Sequence, residues 1–454
     1  MRYLLLTISL ILLQISAQTQ SVKEDTTNSW MRSYTMSTRS YFMTTQYYND
    51  FKPDHAWGQM LSVQVKQQLG NKLSVAASYA GFVRILSSDL QALDARVPIL
   101  NRYEVGLFDV TDLDQRVFGR VEKLHLSYTG KNFQAKLGRM GINTPFLNPQ
   151  DGRLSPTFVE GWRLDWKLDQ RVSLSSDLIW RISPRSTGEW FGVGESIGLY
   201  PVGRDVNGGP SAYAGQTTSA YVHVTDLSYK PSKNTSWKVN HTLIDNITST
   251  YLLQYEGNKK IESITWLWGL QTTVQHGIGN GGNDDPALRY KSPDDFNTVL
   301  SGRIGFKTSR AVFNINYSKM VGGERFLSPR EWGRDPFYTF IPRERNEGLT
   351  AVDAFTLYYQ QTLDEQSTWQ AYGYGGIYLL PEATDFELNK YAFPSYTQFN
   401  LGLKHQPTSW GAGLDFHLIL MTKLALEDEI APAWEYNKVN LFHLNAIVNY
   451  SLNW

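Results

Sequence analysis

The sequence predicts an all-β fold, a transmembrane up-and-down antiparallel β-barrel of about 18 strands with infolded long loops. Three observations predict it. Segments alternating apolar with polar residues recur along the chain, the connections between them are short and long by turns, and 14 Trp, 26 Tyr and 21 Phe accompany 36 Gly at a mean hydropathy of −0.36. A polar average rich in Trp and Tyr suits a sheet closed around water, with aromatic girdles where it meets the membrane surfaces.

The chain opens with Arg2, an apolar run from Tyr3 to Leu13 broken only by Thr7 and Ser9, and the small pair Ser16-Ala17 before Gln18. That is how a secretory signal peptide is built. The run is too short for a spanning helix, which needs about 20 apolar residues. Residues 1–20 are therefore assigned to a signal peptide and 21–454 to a single barrel domain, with 21–30 as a polar leader. With Cys 0, disulfides, thiolate zinc sites and thiol catalysis are excluded. Lys+Arg 43 balance Asp+Glu 43, so charge gives no reason to expect nucleic acid as a partner.

The clearest strand is the last. Phe442, Leu444, Ala446, Val448, Tyr450, Leu452 and Trp454 alternate with His443, Asn445, Asn449, Ser451 and Asn453, and Ile447 is the one apolar residue in the polar row. Period 2 over this length fits a strand with one face in lipid and one in water. The pattern recurs upstream, where Trp162, Leu164, Trp166 and Leu168 alternate with Arg163, Asp165 and Lys167. Eighteen such segments fall near 31–47, 55–67, 72–84, 118–129, 132–139, 158–168, 171–182, 218–229, 236–244, 249–256, 261–275, 297–307, 310–319, 350–361, 367–379, 395–405, 411–421 and 439–454.

Tight connections at Gly70-Asn71, Thr129-Gly130-Lys131, Asp169-Gln170-Arg171, Glu256-Gly257-Asn258 and Thr308-Ser309 alternate with mostly long ones near 85–117, 140–157, 183–217, 276–296, 320–349 and 380–394. Short turns at one rim and long loops at the other mark a membrane barrel. In hydrocarbon every backbone donor and acceptor must pair within the protein, so the sheet must close. Eighteen strands ~4.8 Å apart, tilted by about 40°, make a ring roughly 36 Å across. Wall side chains cannot fill that width, so the lumen is a channel or is narrowed by loops.

Parity sets Arg39, Lys123, Lys136, Arg163, Arg181 and Arg303 on the polar faces of their segments. An Arg facing lipid near the midplane costs roughly 2–4 kcal/mol, so these cations should face water. The bland alternative is that they pair with Asp165, Asp177 or Asp415 and merely hold the wall together. Two loop runs add more arginine among Pro, Gly and acids, which fix sharp turns. One starts at Arg139 and passes Arg153. The other carries Arg330, Arg334, Arg343 and Arg345. His125, His417 and His443 lack a neighbour at metal-ligand spacing, so neither a metal nor a cofactor is expected.

The runs NTPFLNPQDGRLSP with FVEG (Asn143 to Gly161) and PREWGRDPFYTFIPRERNEG (Pro329 to Gly348), with the terminal strand, resemble the OprD-type outer-membrane porins, substrate-selective barrels of eighteen strands. The two loop runs are the specific part of the likeness. The resemblance implies a Gram-negative outer-membrane porin for passive, semi-selective diffusion of small polar solutes, anionic or carboxylate-bearing. It also implies that the loop at 140–157 narrows the barrel and that arginines form a basic track, onto which Arg153, Arg343 and Arg345 carry over by motif. Expected partners are outer-membrane lipid and lipopolysaccharide, the barrel assembly machinery through the strand ending at Trp454, small solutes and, as an option, further copies of the barrel. The competing readings are a barrel enzyme of protease or lipase type, for which no Ser or Asp grouping near a His is more pointed than chance, and a plugged or fatty-acid transporter, for which no plug precedes residue 31.

Overall fold

A computed structural model describes residues 31–149, 153–200, 202–408 and 411–454. The expected signal peptide and leader, and Asp151 of the first loop run, lie outside the described residues.

The wall begins with β1 (Arg32–Tyr47), β2 (Asp54–Leu69), β3 (Leu73–Ser87), β4 (Val117–Thr129), β5 (Phe133–Met140), β6 (Phe158–Lys167) and β7 (Val172–Ser183). A two-residue β8 (Phe191–Gly192) precedes β9 (Val222–Ser232), β10 (Thr235–Ile244), β11 (Thr248–Ile261), β12 (Ile264–Gly277), β13 (Phe296–Lys307) and β14 (Ala311–Gly322). The circuit ends with β15 (Val352–Thr362), β16 (Trp369–Leu379), β17 (Tyr396–His405), β18 (Leu414–Ala425) and β19 (Leu441–Asn453). β7 pairs directly with β9, which leaves β8 outside the wall and eighteen strands in it. Each wall strand is antiparallel to the next, and β19 returns onto β1 with Asn449 opposite Arg39. The barrel is closed, so no strand edge meets lipid.

Alternation in the sequence becomes two faces of the wall. On β17, Leu401 is 64% exposed on the outside, while Gln398 and Asn400 are buried inside. Ile447, the exception in the last strand, turns inward and joins Tyr41, Met421 and Leu441 in an apolar cluster. The interior is packed, because long loops bring their own apolar residues into it. Leu107, Phe108 and Leu154 pack with Phe82 of β3; Phe146, Phe337 and Ile341 pack with Tyr378 of β16 and Tyr396 of β17. Side chains buried against a fixed wall explain why Pro- and Gly-rich loops are ordered here.

The structure corrects three local expectations. The turn placed at Glu256-Gly257-Asn258 does not exist: β11 runs on to Ile261 with Gly257 opposite Trp268, whose indole fills the space a side chain at 257 would need. Arg181 does not face the lumen. A bulge leaves Trp180 unpaired between Ile179 and Arg181, which resets the parity and puts Arg181 opposite Glu160 in the outward row. Arg139 also stands in the outward row, in register with the exposed Leu124 on one side and Glu160 on the other.

The two faces are testable by single Cys replacements in this Cys-free chain. In intact membranes a membrane-impermeant thiol reagent should label cysteine at positions 136 and 415 and spare cysteine at 137 and 401. Equal labelling of both pairs would mean that the register is wrong.

Candidate functional site

Two loops cross the lumen and meet. The first, between β5 and β6, carries Arg153, whose carbonyl accepts a hydrogen bond from Arg39 Nη1 of β1 at 2.8 Å. The second, between β14 and β15, reaches the far wall, where Arg343 donates to Tyr41 Oη of β1 and, at 2.6 Å, to Asn445 Oδ1 of β19. On its way the carbonyl of Pro342 accepts from Gln398 and Asn400 of β17 at 2.9 and 3.0 Å. The loops are tied together by Asn148, which donates to the Arg334 carbonyl and accepts from the Arg334 amide, both at 3.0 Å.

Where they meet, a cavity of about 30 Å³ is lined, among the described residues, by Arg102, Arg153, Arg185, Arg330, Arg334, Arg343 and Arg345, with Tyr103, Tyr200, Phe340 and one carboxylate, Glu344. Such a space holds one or two waters. Of the loop arginines singled out in the sequence, Arg153, Arg330, Arg334, Arg343 and Arg345 line this cavity. Arg102, from the loop between β3 and β4, and Arg185, just past β7, join them unforeseen. Arg185 follows Ser183-Pro184 as Arg330 follows Ser328-Pro329, and this shared Ser-Pro-Arg run was the available signal.

Backbone carbonyls orient several of the guanidinium groups. Arg153 Nη1 donates to the Tyr103 carbonyl at 3.2 Å, Arg345 Nη1 to that of Arg330 at 2.9 Å, and Arg185 Nε to the same Arg330 carbonyl at 3.4 Å. Arg334 is exposed, with its guanidinium 5.2 Å from the centre of the Phe340 ring. Glu344 is the counter-charge that holds the group together. It is buried, with Arg102 at 3.1 Å, Arg330 at 3.3 Å and Lys423 of β18 at 2.5 Å. Burial alone would raise the Glu344 carboxyl, but Arg102, Lys423 and Arg330 together hold it well below the usual carboxylate range. Burial would lower Arg102 and Arg330, but Glu344 outweighs it for Arg102, and Tyr391, Glu347 and Glu344 outweigh it for Arg330, so both are raised. Arg330 also donates to Glu347 at 2.6 Å. Glu104 lies behind Tyr103, but burial pushes its carboxyl up to about 8, so near neutral pH it is mostly uncharged and adds little negative charge.

The remaining cations sit on the wall. Arg163 pairs with Asp165 at 2.7 Å and Asp177 at 2.9 Å; Arg303 pairs with Glu256 at 2.6 Å under the ring of Tyr338. Lys123 donates to Gln64 at 2.6 Å. Lys136, in the inward row of β5 beside Lys123 and His125, has no ion pair among the described residues. Arg139 is bound to Glu160 at 2.8 Å and capped by Trp190, whose carbonyl accepts from Arg181 at 2.8 Å. One buried arginine was missed altogether. Arg120 faces inward and donates to Ser183 at 2.7 Å, because a bulge at Glu122 resets the parity of β4.

No family model matches the sequence, and no curated protein matches it. Among solved structures it is similar to OccAB4 of Acinetobacter baumannii at TM-score 0.71 and 14% identity, over 93% of this chain and 98% of that one. It is similar to OccK8 (OprE) of Pseudomonas aeruginosa at TM-score 0.72, again with 14% identity and the same coverage. OccK1 (OpdK) of the same organism follows at TM-score 0.67 and 14% identity, over 93% and 99%. The fold is therefore that of the eighteen-stranded outer-membrane porin barrels of OprD type, as the loop runs led one to expect.

Proposed function

We propose that this chain is a Gram-negative outer-membrane porin and not an enzyme, whose waist passes small polar solutes and favours those that carry a carboxylate. The observation that carries this reading is the convergence of seven arginines and one carboxylate on a single water-sized cavity between two infolded loops. Charged groups ringing a constriction select by sign, because the low dielectric of the loops strengthens each interaction. Arg39 braces this waist from the wall, while Lys123 and Lys136 stand below it on β4 and β5 and would carry the positive field along the lumen. Arg163 and Arg303, each neutralised by acids, serve to brace the wall. The outward apolar band would then face outer-membrane lipid and lipopolysaccharide. OpdK, which shares this fold at 14% identity, has been crystallised with vanillate, a carboxylate.

Swelling of liposomes loaded with the purified barrel tests the reading. A monocarboxylate such as gluconate should enter several-fold faster than a neutral solute of like size such as sorbitol. Equal rates, or faster entry of the neutral solute, would count against carboxylate preference; no swelling by either would count against a pore.

A further inference from the structure

A second cavity, of about 370 Å³, lies at the rim of long loops and shares no lining residue with the arginine waist. Its size falls within the roughly 300–1,000 Å³ of small-molecule sites. The loop after β8, the loop between β12 and β13, the start of the loop after β14 and Lys390 of the loop after β16 build it. Its mouth is exposed at Val206, Ala212, Pro286 and Ala287, and its floor is buried at Tyr213, Tyr290, Leu327 and Lys390.

The floor is positively charged and incompletely satisfied. Lys390 is 2% exposed, donates to Tyr213 Oη at 2.8 Å and lies 4.7 and 4.9 Å from the ring centres of Tyr213 and Tyr290. No carboxylate stands within 4 Å of it among the described residues; Glu347 and Glu331 act on it from further away. Burial lowers the Lys390 ammonium to about 8, which an incoming anion would reverse. Beside it Arg325 is held, among the described residues, by two carbonyls, those of Arg204 at 2.9 Å and Phe386 at 3.1 Å. The hydroxyl of Tyr290, a residue 4% exposed, is buried with no hydrogen-bond partner among the described residues. Tyr290 lines the cavity, and a buried hydroxyl left unpaired costs about 1–3 kcal/mol, so a ligand oxygen that reached it would recover that cost. The lining acids do not fill this role. Asp205 accepts from the amides of Asn207 and Gly209 at 2.9 Å, Glu324 is exposed at the rim, and Lys291 is already taken by Asp295.

We infer that this cavity is a capture site for a small monocarboxylate with an apolar body, separate from the waist. The carboxylate would sit between Lys390, Arg325 and the Tyr290 hydroxyl, and the apolar body would lie against Leu327 and the Val206 and Pro286 side of the mouth. Such a site raises the local concentration of solute above the constriction without contributing to selection within it.

Isothermal titration of the purified full chain with hexanoate, with hexanamide as the uncharged isostere, tests this directly and does not depend on flux. Hexanoate should bind saturably and hexanamide at least ten-fold more weakly. Arg325→Gln with Lys390→Met should weaken hexanoate at least ten-fold. Because a buried lysine can affect loop docking, Ala212→Trp, which fills the mouth and keeps every cation, should do the same. Absence of saturable binding, equal binding of hexanamide, or indifference to both cavity variants would each overturn the site.

Discussion

Replacing Arg153, Arg343 and Arg345 together by Gln should lower carboxylate flux at least ten-fold while a neutral solute of the same size passes within about two-fold of its original rate. Two unit charges ~4 Å apart interact by about 4 kcal/mol at an effective dielectric near 20, and by about 1 kcal/mol in water. A third of the larger figure, ~1.4 kcal/mol, already corresponds to ten-fold. All three side chains line the cavity at the waist, where displaced water cannot screen them. Arg343 also bonds Tyr41 and Asn445, so its replacement can shift the loop as well as the charge. Arg334→Gln separates the two effects, because Arg334 is exposed and, among the described residues, its charged group meets only the Phe340 ring. It should reproduce part of the carboxylate loss with the loop in place. If both solutes change equally in the triple variant, the loops set the width of the pore and the charge is incidental.

The second large effect is structural. Glu344→Gln removes the carboxylate that Arg102, Arg330 and Lys423 share while leaving the volume unchanged. Removing one member of a buried ion pair costs about 3–5 kcal/mol, because its partner stays buried without compensation; Arg330 keeps Glu347, while Arg102 and Lys423 have no other carboxylate within 4 Å among the described residues. At ~1.4 kcal/mol per ten-fold, the undocked form of the loop between β14 and β15 should rise in population by two to three orders of magnitude. Amide exchange across 323–351 should speed up accordingly while the wall strands keep their protection. Unchanged exchange in that loop would show that the three cations are satisfied in some other way, and that Glu344 is not its anchor.

Most of the wall was legible because a period of 2 is a direct consequence of one face meeting lipid and the other water. All eighteen expected segments correspond to strands, most with ends within a few residues. What was not legible follows from three physical causes. Gly257 looked like a turn, yet a neighbouring strand's Trp268 covers it, and cross-strand cover leaves no mark on the local sequence. The bulges at Glu122 and Trp180 each add one residue, so parity counted from Lys123 or from Leu178 assigns Arg120 and Arg181 to the wrong faces. Arg102 converges on the waist from a loop between other strands, through a tertiary approach that its own surroundings, Asn101 to Glu104, do not announce. Arg185 differs, since its Ser-Pro-Arg run repeats that of Arg330.

The most direct test of a positively charged waist is the reversal potential of the purified barrel in a planar bilayer under a ten-fold gradient of potassium chloride. Seven arginines and one glutamate lining the waist among the described residues predict a preference for chloride over potassium, reduced in the triple Gln variant and partly reduced in Arg334→Gln. A reversal potential at zero, or one of cation-selective sign that the variants do not move, would contradict it.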